Sequence, residues 1–194
     1  VALPRISFTW PSPAQFTPGD AELDGVADIL AGGRGSRLHR RLVTTMKLAQ
    51  DVSAHQQSGQ LASTFEITVT ARPTSSVEAS VKLLDDIQKV VDEELLTLRA
   101  VAPTASETAR ARAKNVTALT FGMERLTARA DAFNHYAQFT SDPRYFERDV
   151  ARYQSFSESS LHQAVQAHLG VGRVVARVVP NASAPRAGRL KGAS

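Results

Sequence analysis

The sequence predicts an α+β fold: a largely antiparallel sheet of about four or more strands, covered on one face by helices. Three observations carry it. Arg5–Trp10 and Thr64–Thr70 alternate strictly between apolar and polar residues, as half-buried strands do. Turn residues Gln57-Ser58-Gly59-Gln60 join Thr64–Thr70 to an earlier alternating segment, Val52–His55, which reads as an antiparallel hairpin. Beyond Pro73 the apolar period lengthens to that of a helix, through Val77, Val81, Leu84, Ile87, Val91, Leu95 and Leu98.

Taken in order, the first strand places Ile6, Phe8 and Trp10 inward. Pro11, Pro13 and Pro18 then argue against helix or central strand. Asp20 is expected to cap a helix with Leu23, Val26, Ala27 and Leu30 on one stripe, stopped by Gly32-Gly33-Arg34-Gly35. Ser36 should cap a second, short helix from Arg37 to about Lys47, with Leu38, Leu42 and Met46 inward. The hairpin and the long helix follow. Pro103 ends that helix, and Thr104-Ala-Ser-Glu107 is a capping box for the next. Its continuation through Leu119, Leu126, Ala130 and Phe133 runs towards Phe139, with Gly122 as an interruption. Asp142-Pro143 restarts a helix carrying Phe146 and Val150, and Ser157 caps another with Leu161, Val165 and Leu169. Arg173–Val178 is a last strand that should return to the sheet. One domain, residues 1–180, and a disordered basic tail, 181–194, are expected.

Composition excludes several functions. At 194 residues, 42% hydrophobic and 22% charged, the chain is long and apolar enough to bury a real core. With no cysteine there is no disulfide, thiolate zinc site or cysteine nucleophile, and the compartment stays open, periplasm or cytosol. No apolar run is long enough to span a membrane. The opening Val1-Ala2-Leu3-Pro4 reads as the start of a piece cut from a longer chain. The net charge of +4 is concentrated in the tail, at Arg186, Arg189 and Lys191. The remaining body is nearly neutral, which argues against nucleic acid as a partner.

The five histidines, His39, His55, His135, His162 and His168, show neither His-Glu-x-x-His nor its inverse, so no metal site is expected. Gly32–Ser36 fits no dinucleotide or phosphate loop and reads as a helix–helix turn. Arg34, Arg37, Arg40 and Arg41 form a basic cluster in which Arg37 and Arg41 share a helical face. A solvated face is the expected outcome there. No Gly-x-Ser-x-Gly elbow occurs. No catalytic residue is assigned.

The order of segments nevertheless carries a resemblance. Ile29-Leu-Ala-Gly-Gly33, Ser36-Arg-Leu-His-Arg-Arg-Leu42, Leu48-Ala-Gln-Asp-Val-Ser-Ala54, Phe65-Glu-Ile-Thr-Val-Thr-Ala71 and Thr104-x-x-Glu107 succeed one another around the long helix. This resembles the pitrilysin/insulinase family of zinc metallopeptidases, with the related mitochondrial processing peptidases and respiratory-complex core proteins. Such proteins pair homologous α+β domains around a chamber. One domain holds zinc through His-x-x-Glu-His and a downstream Glu, and its partner holds none. Lacking the motif, this sequence resembles the partner, usually the C-terminal half. The resemblance implies no enzyme activity for this chain alone, zinc on a partner catalytic domain, and a zinc metalloendopeptidase parent acting on peptides. The alternative is a structural or assembly subunit with no proteolytic role. The Arg and Tyr that some non-catalytic domains extend to substrate would fall at Val43 and Gln50, and neither matches. Arg40 and Arg41, on the same helix, are candidates to substitute. Glu66, on the polar face of its strand, is the third substrate-binding candidate.

Overall fold

A computed structural model describes residues 3–181. The order is β1 (Arg5–Ser12), α1 (Asp20–Ala31), a π-helix (His39–Thr45), β2 (Ala49–Gln57), β3 (Ser63–Ala71), α2 (Val77–Ala100), α3 (Ala105–Gly122), α4 (Leu126–Thr140), α5 (Phe146–Gln154), α6 (Glu158–His168) and β4 (Val174–Val178). The four strands form one antiparallel sheet in the order β2-β3-β1-β4. This is the predicted α+β architecture. The expected tail, from residue 182 on, lies outside the described residues.

Period-two alternation sets the sheet's two faces. Ile6, Phe8 and Trp10 of β1 and Phe65, Ile67 and Val69 of β3 have no accessible surface. Each such side chain contributes about 1.5–3 kcal/mol by leaving water. Trp10 and Phe65 pack edge to face with centroids 6.1 Å apart, and Trp10 Nε1 donates to Gly170 O at 2.7 Å. The tryptophan is core, with its one polar atom satisfied. Pro11 departs from expectation by lying inside β1, opposite Thr64. Its missing N–H is tolerated because pairing with β4 stops at Thr9, so β1 is an edge there.

The helical layer covers the apolar face. In α1 the expected residues Leu23, Val26, Ala27 and Leu30 are buried, but Asp20 is not the cap. Gly19, at φ 94, takes that place, and Glu22 accepts from its N–H at 3.1 Å. Asp20 instead accepts from Phe16 N at 2.9 Å, Ser58 Oγ at 2.7 Å and Arg152 Nη2 at 2.7 Å. Ser36 does not cap either, since its hydroxyl donates to Gly33 O at 2.6 Å. Leu38 and Leu42 are buried as expected, whereas Met46 is 47% exposed, just before Lys47 (φ 54) turns the chain.

In α2 the buried stripe starts at Leu84 and continues through Ile87, Val91, Leu95 and Leu98. Val77 and Val81 stay outside because Ser80 takes the inward position, its hydroxyl bonded to Ser76 O and Thr74 Oγ1. Thr104 and Glu107 close the capping box of α3. The helix ends at Gly122, and the expected continuation is the separate α4. There Leu126 and Phe133 face solvent, and Tyr136 is the buried residue, its hydroxyl donating to Asp149 Oδ2 at 2.9 Å. Asp142 forms a turn onto Arg144 N at 2.9 Å rather than a helix cap, and α5 begins at Phe146. Ser157 caps α6, which buries Leu161 and Val165. The core is one continuous cluster from Ile6 to Leu169.

Candidate functional site

The other face of the sheet is largely polar on β1, β2 and β3, and β4 adds the exposed Val174, Ala176 and Val178 at its edge. Glu66, at the middle of β3, stands opposite Thr9 on one side and His55 on the other. Its carboxylate accepts from Thr68 Oγ1 at 2.6 Å and lies 4.0 Å from His55 Nε2. The side chain is 30% exposed, so its charge faces whatever adjoins this surface. Thr64, Thr68 and Thr70 stand on the same face, a consequence of their even spacing from Glu66.

The basic cluster is split by the structure. Arg37 forks onto Glu107, Nε to Oε1 at 2.7 Å and Nη2 to Oε2 at 2.8 Å, and reaches Glu94 at 3.4 Å. Arg41 bonds Glu93 at 2.6 Å and Glu94 at 3.2 Å. These two arginines are therefore partnered within the chain, not a solvated face. The Arg37 guanidinium, with the Thr104 N–H and hydroxyl, holds the Glu107 carboxyl down at about 2. Arg37 and Arg41 are themselves raised by their carboxylate bonds. Arg40 is exposed and makes no ion pair among the described residues. Among those residues no ion pair joins Arg40 or Arg41 to Glu66.

Beyond the sheet's end lies a shallow depression of about 650 Å³ lined by Val43, Ala49, Gln50, Arg72 and Pro73. The π-helix supplies Val43, the start of β2 supplies Gln50, and Arg72 N donates to Leu48 O at 3.0 Å, extending the ladder one step past β3. Val43 and Gln50 are the two positions at which the resemblance places substrate contacts. The structure brings them together and adds an exposed residue, Arg72, that the sequence does not single out. The only signal for it is a base directly between a strand and Pro73.

These residues do not fit a zinc ion. Among the described residues no three His, Asp or Glu side chains converge as ligands. His135 stacks on Phe139 at 4.3 Å, His162 Nε2 bonds Arg99 O at 2.9 Å, and His168 lies against the Gly19 turn with its basicity lowered by burial. None of the described helices is long and apolar enough to cross a membrane.

The class the geometry defines is an α+β domain with a one-sided antiparallel sheet and, among the described residues, no converging set of metal ligands. The peptidase M16 inactive-domain model matches residues 1–115, and the chain belongs to that family, the pitrilysin/insulinase zinc proteases. The structure is similar to the inactive peptidase domain of a candidate zinc protease from Bordetella parapertussis, with TM-score 0.80, 23% identity and 96% of each chain covered. A candidate zinc protease from Bordetella pertussis Tohama I gives 0.74 and 25%, covering 92% of this chain and 95% of that one. A protease from Helicobacter pylori gives 0.79 and 19%, covering 93% of this chain, which spans only 42% of that protein. Among curated proteins the sequence finds no match.

Proposed function

We propose that this chain is the non-catalytic wall of a peptide-cleaving chamber. It pairs with a homologous domain that bears His-x-x-Glu-His, holds the zinc and does the chemistry. Family membership supports the pairing, and the observation that carries the role is the open polar face of the sheet. A face carrying Glu66, His55 and a row of threonines, backed by a fully packed core, is rigid and hydrogen-bonding. Such a surface presents fixed charge to an extended peptide without reacting with it. Glu66 and Arg72 carry opposite charge and are assigned here as substrate-facing residues. Arg40, exposed on the π-helix, is the remaining candidate, whereas Arg41 is held by Glu93 and Glu94.

The experiment compares matched acidic and basic peptides as substrates of the full parent protease. Glu66→Lys should raise the acidic-to-basic ratio of kcat/KM several-fold at low salt, where charge is least screened. Arg72→Glu should move the ratio the other way. Both changes are at the surface, where substitutions cost within about 0.5 kcal/mol, so the fold persists. Unchanged ratios in both variants would remove the chamber-wall assignment and leave the assembly-subunit reading.

A further inference from the structure

Asp20, Asp24 and Asp28 follow one another at intervals of four on α1 and so share one face of it. Two of the three have cations. Arg152 pairs with Asp20 at 2.7 Å, and Lys114 pairs with Asp28. Asp24 forms no ion pair among the described residues; its Oδ2 accepts the Tyr153 hydroxyl at 2.8 Å. The carboxyl lines a cavity of about 370 Å³ between α1, α3, α4 and α5, within the size range of small-molecule sites. Leu119, Met123, Ala128, Ala132 and Phe146 form apolar walls.

The polar groups of this cavity are Asp24, Asn115, Tyr136 and Tyr153, and their hydrogens are already committed. Asn115 Nδ2 donates to Asp28 Oδ2 at 2.8 Å and to Ala111 O at 2.9 Å. The Tyr136 hydroxyl donates to Asp149 Oδ2 at 2.9 Å, and that of Tyr153 to Asp24. Once Asp24 is ionised, what remains for a ligand is a carboxylate, an amide oxygen and two phenol oxygens, all acceptors. A ligand that satisfies them must bring donors, and one that balances Asp24 must bring positive charge.

We propose that this cavity binds a small organic ammonium, a protonated primary amine on an apolar stem, with the ammonium on Asp24 and the stem between Met123, Ala132 and Phe146. The site is separate from the polar sheet face and does not rest on the chamber role. Its electrostatics give a second handle. Burial, with smaller contributions from Asp20 and Asp28, pushes Asp24 up to about 7, against the Tyr153 bond and Arg152. The other groups facing this region are Lys114 and Asn115 from α3, Tyr136 from α4, and Asp149 from α5. An ammonium favours the ionised carboxyl, so binding tightens as pH rises through 7 and in turn draws the Asp24 pKa down.

The test titrates the 194-residue chain with phenylbutylammonium and with phenylbutanol, its neutral counterpart, while following the Asp24 carboxyl by NMR. The amine should saturate one site at least about tenfold more tightly than the alcohol near pH 8. It should also lower the Asp24 titration midpoint. Asp24→Asn, which still offers Tyr153 an acceptor, should bring the amine down to the alcohol's affinity. Ala132→Phe should fill the cavity and remove binding of both. Equal affinity for amine and alcohol, an unmoved Asp24 midpoint in the wild-type chain, or full amine affinity in Asp24→Asn would each overturn the site.

Discussion

Asp20 and Arg152 are 132 residues apart in the chain, yet their side chains meet at 2.7 Å with Asp20 only 3% exposed and Arg152 18%. The same guanidinium reaches Asp149 Oδ1 at 2.9 Å and lies 5.0 Å from the centre of the Phe16 ring. One cation thus joins the start of α1 to α5 and orders the connection that leads out of β1. Arg152→Met should cost about 3–5 kcal/mol, because it leaves Asp20 and Asp149 buried without their cation. Urea unfolding of the full chain measures it. A loss below about 1 kcal/mol would place this pair among exposed ion pairs in its energetics.

Glu107 predicts an acid sensitivity. Arg37 holds its folded-state carboxyl at about 2, below the ordinary value of 4.5. A depressed carboxyl adds stability above its unfolded pKa and loses it as pH falls towards the folded one. The contribution should therefore fade between about pH 4.5 and 2, and Glu107→Gln should flatten that part of the stability profile. Parallel profiles for the two chains across this window would show that the Arg37 fork adds nothing to folding.

Asp24 predicts the opposite slope. Its folded pKa of about 7 lies above the ordinary 3.8, so the folded state binds the proton more tightly. The stabilisation is complete below the unfolded pKa and is lost as pH rises through 7. Between about pH 4 and pH 8 wild-type stability should decline through this group, with the fall complete soon after pH 7. Asp24→Asn should remove the decline and be more stable than wild type at pH 8 by about 1 kcal/mol or more, since a tenfold change in proton affinity between the folded and unfolded chains corresponds to about 1.4 kcal/mol. Denaturant midpoints at the two pH values decide it.

Tyr136 predicts a local loss. It is the buried anchor of α4, and its hydroxyl donates to the buried Asp149 carboxylate. Tyr136→Phe keeps the ring and deletes the bond, at a cost of about 1.5–3 kcal/mol for a hydrogen bond to a charged group. Hydrogen exchange should speed up first in α4, whose Leu126 and Phe133 already face solvent. Uniform exchange across α1 and α4 would mean that α4 is held by other contacts.

What is legible in the sequence is what repeats locally. Ile6, Phe8 and Trp10, and again Phe65, Ile67 and Val69, announce their face by alternation, and the stripe from Leu84 to Leu98 announces a helix. Positions decided by distant partners are not legible. Asp20 has the composition of a cap, but Arg152 and Ser58 claim its carboxylate. Val77 and Val81 continue a helical period that Ser80 overrides through Thr74. Arg37 and Arg41 read as a solvated face because Glu93, Glu94 and Glu107 lie more than fifty residues away. Arg72 carries no local signal beyond a base before Pro73, because its neighbours Val43 and Gln50 meet it only once the π-helix closes on the start of β2.

The position of β1 has a consequence for synthesis. The first strand of the chain ends up inside the sheet, between β3 and β4, and Trp10 receives its hydrogen-bond partner from Gly170, 160 residues later. A ribosome adding about 5–20 residues per second needs on the order of ten seconds between those two points. Throughout that interval the Arg5–Thr9 edge of β1, with its unpaired N–H and C=O groups, lacks the partner that β4 later supplies. A polypeptide that stops before Val174 keeps that edge permanently. The sheet cannot close until β4 has been made, and nascent or truncated chains are the species with a free edge on which neighbouring molecules can add a strand.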